Sequence, residues 1–240
     1  SIYDATSNET ATVSIDSVSG GDALENGTQS VTITITDNES APTVTLSRSA
    51  AAIDENSSST VTITATLSNA TYQDVTVTID GTGGTGTEGT DFATVSDITI
   101  SAGATTGTAA VDPTDDNVYE GDETAGISIS GVSGGSASES GSQSVTVTIT
   151  EDESAPTVTL TVSATSIAEN AGTSLTLTAT LSQAADEDVS VVIGTSGTAV
   201  EGTDYTDGSG AIDDMTISAG STSTTANFTP TDDSIYEINE

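Results

Sequence analysis

The chain has almost no basic side chains. Its 240 residues include one Arg, Arg48, and no Lys or His, against 37 acidic residues, which gives a formal net charge of −36. Proteins that bind nucleic acid neutralise phosphates with Lys and Arg, and attraction to an anionic membrane surface needs the same side chains. We therefore expect no nucleic-acid partner. General acidity of the kind seen in halophilic proteins remains an alternative cause of this charge.

Histidine and cysteine are both absent. Their absence excludes nucleophiles of the Ser-His-Asp and Cys-His types, and it removes the usual ligands of zinc, haem and iron–sulfur clusters. No run of about 18 apolar residues occurs, so we expect no membrane insertion. Carboxylates, carbonyls and hydroxyls remain as ligands, and these oxygen donors suit hard cations such as calcium.

The sequence repeats with a period of 114 residues, because Ala41-Pro42-Thr43-Val44-Thr45-Leu46 recurs as Ala155-Pro156-Thr157-Val158-Thr159-Leu160. A period of this length predicts tandem copies of one domain. We expect a complete repeat at residues 41–154. Residues 1–40 match the last two strands of a preceding repeat, and residues 155–240 match the first two-thirds of a further one.

Apolar residues alternate with Thr along most of the chain, as in Val61, Ile63, Ala65 and Leu67. This period of two is typical of half-buried antiparallel strands. The complete repeat has about seven such segments, separated by Gly, Ser, Asn and Asp: 43–49, 59–68, 74–80, 96–101, 105–113, 124–132 and 143–150. We therefore predict an all-β fold of tandem immunoglobulin-like antiparallel β-sandwiches, with about seven strands per repeat.

Acidic residues in the complete repeat fall in the connections between these predicted strands. Clustered carboxylates repel one another by roughly 1 to 4 kcal/mol per pair at about 4 Å, so a cluster of them favours a divalent cation. Acids that only solvate loops are the alternative interpretation. A glycosidase with paired carboxylates is disfavoured because the site recurs and aromatic residues are scarce, so we expect no enzyme. The candidate metal ligands are Glu55, Asp91, Asp115, Asp116, Glu120, Glu123, Glu151, Asp152 and Glu153.

The ordered motifs Gly89-Thr90-Asp91-Phe92, Ala102-Gly103 and Tyr119-Glu120-Gly121-Asp122-Glu123 resemble the Calx-beta domain. The resemblance implies an immunoglobulin-like sandwich that binds Ca²⁺ at one end, near the junction with the next domain. It implies the same role for the acids at matching positions of the partial repeats. These are Asp4, Glu9 and Asp37 in the first, and Glu169, Asp204, Asp232, Asp233, Glu237 and Glu240 in the last.

Calx-beta domains occur in sodium–calcium exchangers, in integrin β4 and in bacterial surface proteins. Tandem copies favour a calcium-binding structural repeat of an extracellular bacterial adhesin or surface fibre, in which Ca²⁺ stiffens the repeats and their junctions. A calcium-sensing regulatory domain of a larger membrane or surface protein is the alternative. The partial repeats indicate either a window within a longer array or subunits that complete one another head to tail.

Overall fold

A computed structural model of the chain describes residues 2–4, 9–208 and 212–234. The described residues form β-strands and one 3₁₀ turn at Glu169–Ala171, which confirms the all-β prediction. The chain divides into two compact units. The first consists of Ser1–Thr114 with Glu123–Thr150, and the second of Asp115–Asp122 with Glu151–Glu240. The predicted repeat boundaries at 41, 155 and 240 stay a prediction.

The strands are numbered in chain order. They are β1 (Ile2–Tyr3), β2 (Glu9–Ser14), β3 (Ser30–Ile35), β4 (Thr43–Arg48), β5 (Ala52–Asp54), β6 (Val61–Leu67), β7 (Ala70–Thr71), β8 (Val75–Asp80), β9 (Ile98–Ile100), β10 (Thr106–Val111), β11 (Val118–Tyr119), β12 (Glu123–Ser133), β13 (Ser138–Glu139), β14 (Ser144–Thr150), β15 (Val158–Val162), β16 (Leu175–Leu181), β17 (Ala184–Ala185), β18 (Val189–Val191), β19 (Tyr205–Thr206), β20 (Met215–Ile217) and β21 (Ser223–Pro230).

The first unit contains a two-layer sandwich. One sheet has the order β10-β6-β4-β13 and the other the order β5-β14-β12-β8-β9. The long strands pair antiparallel, whereas the short strands β13 and β5 add in parallel to β4 and β14. The chain changes sheets between β4 and β5, so the residues that follow β5 lie at the end of β14. Each of the seven predicted strands of the complete repeat is present.

Alternation along the strands produces the core of this sandwich. In β6, residues 61, 63, 65 and 67 are buried and the three Thr between them are half-buried. The buried side chains of both sheets form one cluster, in which Phe92 is the largest. The cluster also contains Val44, Val61, Ile63, Ala65, Leu67, Val75, Val77, Val95, Ile98, Ile100, Val111, Ala125, Ile127, Ile129, Val147 and Ile149. Each fully buried Val or Ile contributes roughly 1.5 to 3 kcal/mol to folding.

The hairpin β2–β3 also belongs to the first unit, but its residues are exposed throughout. Its register runs from Glu9 opposite Ile35 to Ser14 opposite Ser30. Among the described residues, β2 and β3 pair only with each other. The hairpin therefore forms the backbone ladder of two strands without a second layer over its apolar side chains.

The second unit has a four-stranded sheet, β15-β16-β21-β19, and the two-stranded sheet β18-β20. A small core of Ala179, Leu181, Met215 and Ile217 lies here, with Val189, Val191, Ile193 and Ala226 packed against it. Tyr205 stacks on Phe228 with their ring centroids 4.5 Å apart. The second unit thus has fewer buried apolar side chains than the first.

Two short parallel pairs recur in the chain. β1 pairs with β7 in the first unit, and β11 pairs with β17 in the second. Both β1 and β11 end in a Tyr followed by an acidic residue, and Asp186 adds a backbone hydrogen bond to the carbonyl of Tyr119 at 3.2 Å. The chain thus uses the Tyr that precedes each of these acidic residues as a strand-pairing element. No helix in the described ranges is long and apolar enough to cross a membrane.

Candidate metal centre

In the first unit, Asp91 is only 9% exposed and is fixed by its loop. Its carboxylate Oδ2 accepts a hydrogen bond from the Thr87 amide at 2.5 Å, and its carbonyl accepts one from Thr114 at 2.9 Å. A carboxylate oxygen of Asp91 lies within 4.8 Å of one of Glu123, the first residue of β12. The loop and the strand therefore bring two predicted ligands together.

Glu55 follows β5 and is 5% exposed. Its amide donates a hydrogen bond of 2.9 Å to the carbonyl of Thr150, the last residue of β14. The backbone of Glu55 is thus held at the end of β14 by Thr150, the residue that precedes Glu151 in the chain. A carboxylate with so little exposure keeps its charge at low cost only if a cation or several donors compensate it.

In the second unit, Glu151 anchors the turn at residues 120–122, which we call the acidic turn. Its Oε2 accepts hydrogen bonds from the amides of Glu120, at 2.5 Å, and Gly121, at 2.8 Å. Its own amide donates to Oδ1 of Asp122 at 3.1 Å. Gly121 has a φ of +79°, a left-handed conformation that non-glycine residues adopt at a cost, so glycine permits this turn.

The three acids Glu151, Asp152 and Glu153 each place a carboxylate oxygen within 4.8 Å of the others. The amides of Asp152 and Glu153 also donate to Oε1 of Glu151, at 3.1 and 3.0 Å. Oε2 of Glu153 is buried and has no hydrogen-bond partner among the described residues. A buried oxygen of this kind is available to a cation.

Hydrogen bonding separates the acidities of two of these carboxyl groups. Partial burial raises the pKa of Glu151, but the amides of Glu120, Glu153 and Gly121 outweigh that effect, so its pKa lies below the ordinary value. A hydrogen bond to Glu151, burial, and the charges of Asp152 and Glu151 raise the pKa of Glu153 to about 7. Without a cation, the pair therefore holds a proton close to neutral pH.

Asp115 and Asp116, which are also predicted ligands of the complete repeat, are exposed. Oδ1 of Asp116 accepts a hydrogen bond from the Val118 amide at 2.6 Å and so helps to start β11. Within the described ranges, neither Asp115 nor Asp116 belongs to a group of three or more acids whose oxygens lie within 4.8 Å of one another. Whether either residue binds a metal ion stays a prediction.

The first partial repeat joins its acidic residues by a similar hydrogen bond between backbone and carboxylate. Oδ2 of Asp37 accepts a hydrogen bond from the Asp4 amide at 3.0 Å. A side-chain hydrogen bond with Glu39, together with the amides of Glu39 and Asp4, holds the pKa of Asp37 below its ordinary value. Glu9 starts β2 opposite Ile35, as Glu123 starts β12 opposite Ile149. These three predicted ligands, Asp4, Glu9 and Asp37, line one cavity of about 240 Å³.

The last partial repeat keeps the loop around Asp204 but not the burial around Glu169. Oδ2 of Asp204 accepts a hydrogen bond from the Val200 amide at 2.6 Å, which matches the bond to Asp91. Glu169 is exposed, and its Oε1 accepts a hydrogen bond from the Asp233 amide at 3.0 Å. Asp232 is exposed as well, and Glu237 and Glu240 lie outside the described residues.

Sequence reasoning missed two residues that position candidate ligands, one in each unit. Asp122 was not among the candidate ligands, although its carboxylate fixes the amide of Glu151. Glu88 braces the loop that carries Asp91 by accepting a hydrogen bond from the Val95 amide at 2.6 Å. The recurrence of Glu88 as Glu201, which accepts the same bond from Ile212 at 2.6 Å, was the signal available in the sequence.

The donor set fits calcium better than a transition metal. Every candidate ligand is a carboxylate, and Ca²⁺ takes six to eight oxygen ligands at flexible geometry. Arg48, the chain's one basic side chain, donates to the backbone carbonyls of Ala51 and Thr146. This fit depends on two observations. Oε2 of Glu153 is buried and has no hydrogen-bond partner among the described residues, and Glu55 and Asp91 are nearly buried.

The sequence profile of the Calx-beta domain matches residues 37–153 and again residues 151–240. The chain belongs to the Calx-beta family. Calx-beta domains are calcium-binding domains without enzymatic activity. The family assignment confirms the resemblance drawn from the three motifs. No match to the chain is found among curated proteins.

Several solved structures resemble the chain. CBD12 from CALX1.2 is 22% identical over 74% of this chain and 71% of that chain, with a TM-score of 0.38. The CBD12 calcium-binding domain of CALX1.1 is 19% identical over 75% and 72%, with a TM-score of 0.37. The apo form of the Calx CBD1 domain is 20% identical over 46% and 99%, with a TM-score of 0.38. The family assignment depends on the profile match and not on these likenesses.

Proposed function

We propose that this chain is a calcium-binding structural segment of an extracellular bacterial adhesin or surface fibre, in which Ca²⁺ stiffens the repeats and their junctions. The observation that carries the proposal is the anchored acidic turn, where Glu151 fixes the amides of Glu120 and Gly121 and stands beside Asp152 and Glu153. These hydrogen bonds hold the turn in one conformation, which reduces the ordering cost of binding an ion there.

Calcium relieves a real electrostatic cost in this chain. The formal net charge of −36 comes from 37 acidic residues that one basic side chain offsets by a single charge. Carboxylates within 4.8 Å of each other, as in Asp91 with Glu123, repel unless a cation lies between them. Calcium binding therefore stabilises the folded chain by mass action, by about 2.7 kcal/mol per site at a hundredfold excess over Kd.

The positions of the acidic segments in the chain support a role at junctions. The chain passes between the two compact units at residues 114–115, 122–123 and 150–151, and each passage falls within or beside an acidic segment. An ion bound by these segments restricts their backbone, which stiffens the connections. Stiff connections suit an extended fibre, and we extend the proposal to fibres whose sandwiches join head to tail.

Thermal unfolding of the whole chain tests the proposal. We expect the melting temperature and the particle length in small-angle scattering to increase in millimolar calcium relative to chelator, and magnesium to have a smaller effect because it requires stricter octahedral geometry. Equal melting temperatures and equal lengths in both conditions would contradict the proposal. A Kd of about 10⁻⁴ to 10⁻³ M fits an extracellular module, whereas a much tighter Kd fits the calcium-sensor alternative.

A matched pair of variants separates the site from general charge. Glu151→Gln removes one charge at the anchor of the acidic turn, whereas Glu187→Gln removes one charge from an exposed residue outside the predicted ligand set. The first variant should lose most of the calcium-induced increase in melting temperature, and the second should keep it. The same loss in both would show that calcium acts only by screening the net charge.

A further inference from the structure

Asn26 and Gly27 form the only Asn-Gly pair of the sequence. They lie in the connection between β2 and β3, outside both strands, and both residues are exposed. In such a pair the backbone nitrogen of the Gly is able to attack the side-chain carbonyl carbon of the Asn, because glycine has no Cβ to obstruct the approach. The pair therefore has the composition for covalent chemistry that needs no enzyme.

The reacting groups of this pair are not held by other contacts. Neither the side chain of Asn26 nor the amide of Gly27 makes a hydrogen bond within the described residues. Gly27 has a φ of +69°, and a Cβ built there would meet nothing within 4 Å. The attacking nitrogen and the carbon that it attacks are therefore both free to react.

The side chain of Gln29 activates the attacking nitrogen. Its Nε2 donates a hydrogen bond to the backbone carbonyl of Asn26 at 2.5 Å, while its amide donates to Oε1 of Glu25 at 2.6 Å. The carbonyl of Asn26 and the N–H of Gly27 belong to one peptide group. A hydrogen bond to that carbonyl polarises the group, so the amide of Gly27 gives up its proton more readily.

The complete repeat contains the same turn with a different residue before the Gly. Gly141 also has a φ of +69°, and Nε2 of Gln143 donates to the carbonyl of Ser140 at 2.6 Å. Gly141 is exposed although the sandwich around it has both of its sheets. The turn therefore lies at the surface in a complete repeat as well, where Ser140 takes the place of the reactive Asn.

The sequence also has two Asp-Gly pairs, which undergo related chemistry, but the structure restrains both. Oδ1 of Asp80 accepts hydrogen bonds from the hydroxyl and the amide of Thr82, at 2.7 and 3.0 Å, and these hold the pKa of Asp80 below its ordinary value. The negative charge of an ionised carboxylate repels an anionic nucleophile. In the other pair, the amide of Gly208 is engaged by Oγ1 of Thr206 at 3.0 Å.

We propose that the turn at Asn26 and Gly27 is a site of spontaneous deamidation. The deprotonated nitrogen of Gly27 bonds to Cγ of Asn26, the Cγ–Nδ2 bond breaks, and Nδ2 leaves as ammonia with the proton that the Gly27 amide gave up. Water then opens the resulting succinimide ring at one of its two carbonyl carbons. The product has aspartate or isoaspartate at position 26.

The modification changes the connection between β2 and β3 permanently. Either product adds one negative charge next to Glu25, and the two carboxylates repel each other. Isoaspartate also adds one backbone atom, which displaces the carbonyl that Gln29 binds. Because the reaction needs only water and time, the modified fraction increases with the age of the chain.

Incubation of the whole chain in mildly alkaline buffer tests the site. Peptide mapping by mass spectrometry should show conversion of amide to acid at Asn26 before any other Asn, with isoaspartate identified against synthetic peptides. The rate should rise about tenfold per pH unit, because the fraction of deprotonated Gly27 amide does so. Incubation in urea gives the rate for the unfolded chain. An Asn26 that converts in urea but stays intact in the folded chain would overturn the proposal.

Exchanging residues between the two turns tests the part played by the turn itself. Asn26→Ser should abolish the fastest conversion in the chain, whereas Ser140→Asn should create a second site. That site should react more slowly than Asn26, because the amide of Ser140 is held by the carbonyl of Val44 at 3.0 Å. Circular dichroism checks that each variant keeps its strand content. An intact Asn in Ser140→Asn after prolonged incubation would overturn the assignment of reactivity to the turn.

Gln29→Met tests the activating hydrogen bond. The Met side chain has a similar length but no donor for the carbonyl of Asn26. We expect the variant to convert severalfold more slowly than the natural chain when folded and at the same rate in urea. Equal rates for the folded chains would overturn the activation by Gln29, and slower conversion in urea as well would assign the effect to the sequence and not to the hydrogen bond.

Discussion

The hairpin β2–β3 and the strands β12 and β14 share a pattern and a register but differ in burial. Ile35 of β3 is 56% exposed, whereas Ile149, at the same position of β14, is 3% exposed. Both residues lie opposite the first Glu of their partner strand. Alternation therefore specifies the strand, its register and its apolar face, whereas burial depends on a second layer that must come from elsewhere in the repeat.

The same contrast holds across the two units. Val44 of β4 is fully buried, whereas Val158, 114 positions later in β15, is 42% exposed. Both strands pair with their neighbour in the same register, Val44 opposite Leu67 and Val158 opposite Leu181. In this chain, the same strand register therefore occurs once with a buried and once with an exposed apolar side chain. Stability should accordingly be concentrated in the first unit.

The largest effect is expected from truncating matched Ile residues. Ile149→Ala removes a buried side chain and leaves a cavity, so it should lower the free energy of unfolding of the first unit by about 2 to 5 kcal/mol. Ile35→Ala removes an exposed side chain and should change it by less than about 0.5 kcal/mol in the monomer. Urea unfolding at low protein concentration measures both. Similar losses would mean that β3 is already covered in the monomer.

Next in size is the effect of a side chain at Gly121. With its φ of +79°, Gly121→Ala should cost roughly 1 to 2 kcal/mol of stability, and it should weaken calcium binding because the turn that presents Glu120 and Glu151 is displaced. Gly131→Ala is the matched control, since Gly131 is not left-handed and its added Cβ would meet Thr78 at an ordinary 3.8 Å. Thermal melts in chelator and in calcium compare them. A neutral Gly121→Ala would show that the turn tolerates another conformation.

Glu55 and Glu169, which stand 114 positions apart in the two repeats, give a smaller contrast. Glu55 is nearly buried and Glu169 is exposed, so only the first should depend on a cation for its charge. Glu55→Gln should weaken calcium binding by about tenfold, or roughly 1.4 kcal/mol, and Glu169→Gln should change it little. Isothermal titration calorimetry measures both affinities. Equal losses would mean that the last partial repeat binds calcium as strongly as the complete one.

Local pattern predicted the seven strands β4, β6, β8, β9, β10, β12 and β14 of the complete repeat, because each has its own alternation. It did not predict β5, β7, β11 and β13, which have two or three residues and exist through pairing with distant strands. Among the candidate ligands, comparison of matching positions in the repeats identified Asp91, Glu123 and the acids at 151–153. This comparison did not reveal Asp122, because its role arises from a contact with the amide of Glu151 that is 29 residues away.

The smallest effect is a pH dependence that originates at Glu153. Its pKa in the folded chain, about 7, lies above the ordinary value of 4.5. Between these values the folded chain holds a proton that the unfolded chain has lost, so the stability of the calcium-free chain should fall as pH rises from about 4.5 to about 7 and then level off. Calcium competes with that proton, so its affinity should rise through the same range, by at most about tenfold per pH unit.

Calcium titrations in two buffers of different ionisation enthalpy measure the proton that calcium displaces from Glu153. At about pH 6 we expect release of up to one proton per ion bound, and at about pH 8 almost none. Glu153→Gln should abolish the release, whereas Glu39→Gln, at the same offset in the first partial repeat, removes an equal charge and should keep it. Release that is unchanged in Glu153→Gln would assign the proton to another carboxyl group, and the hydrogen bond between Glu151 and Glu153 would then not control calcium binding.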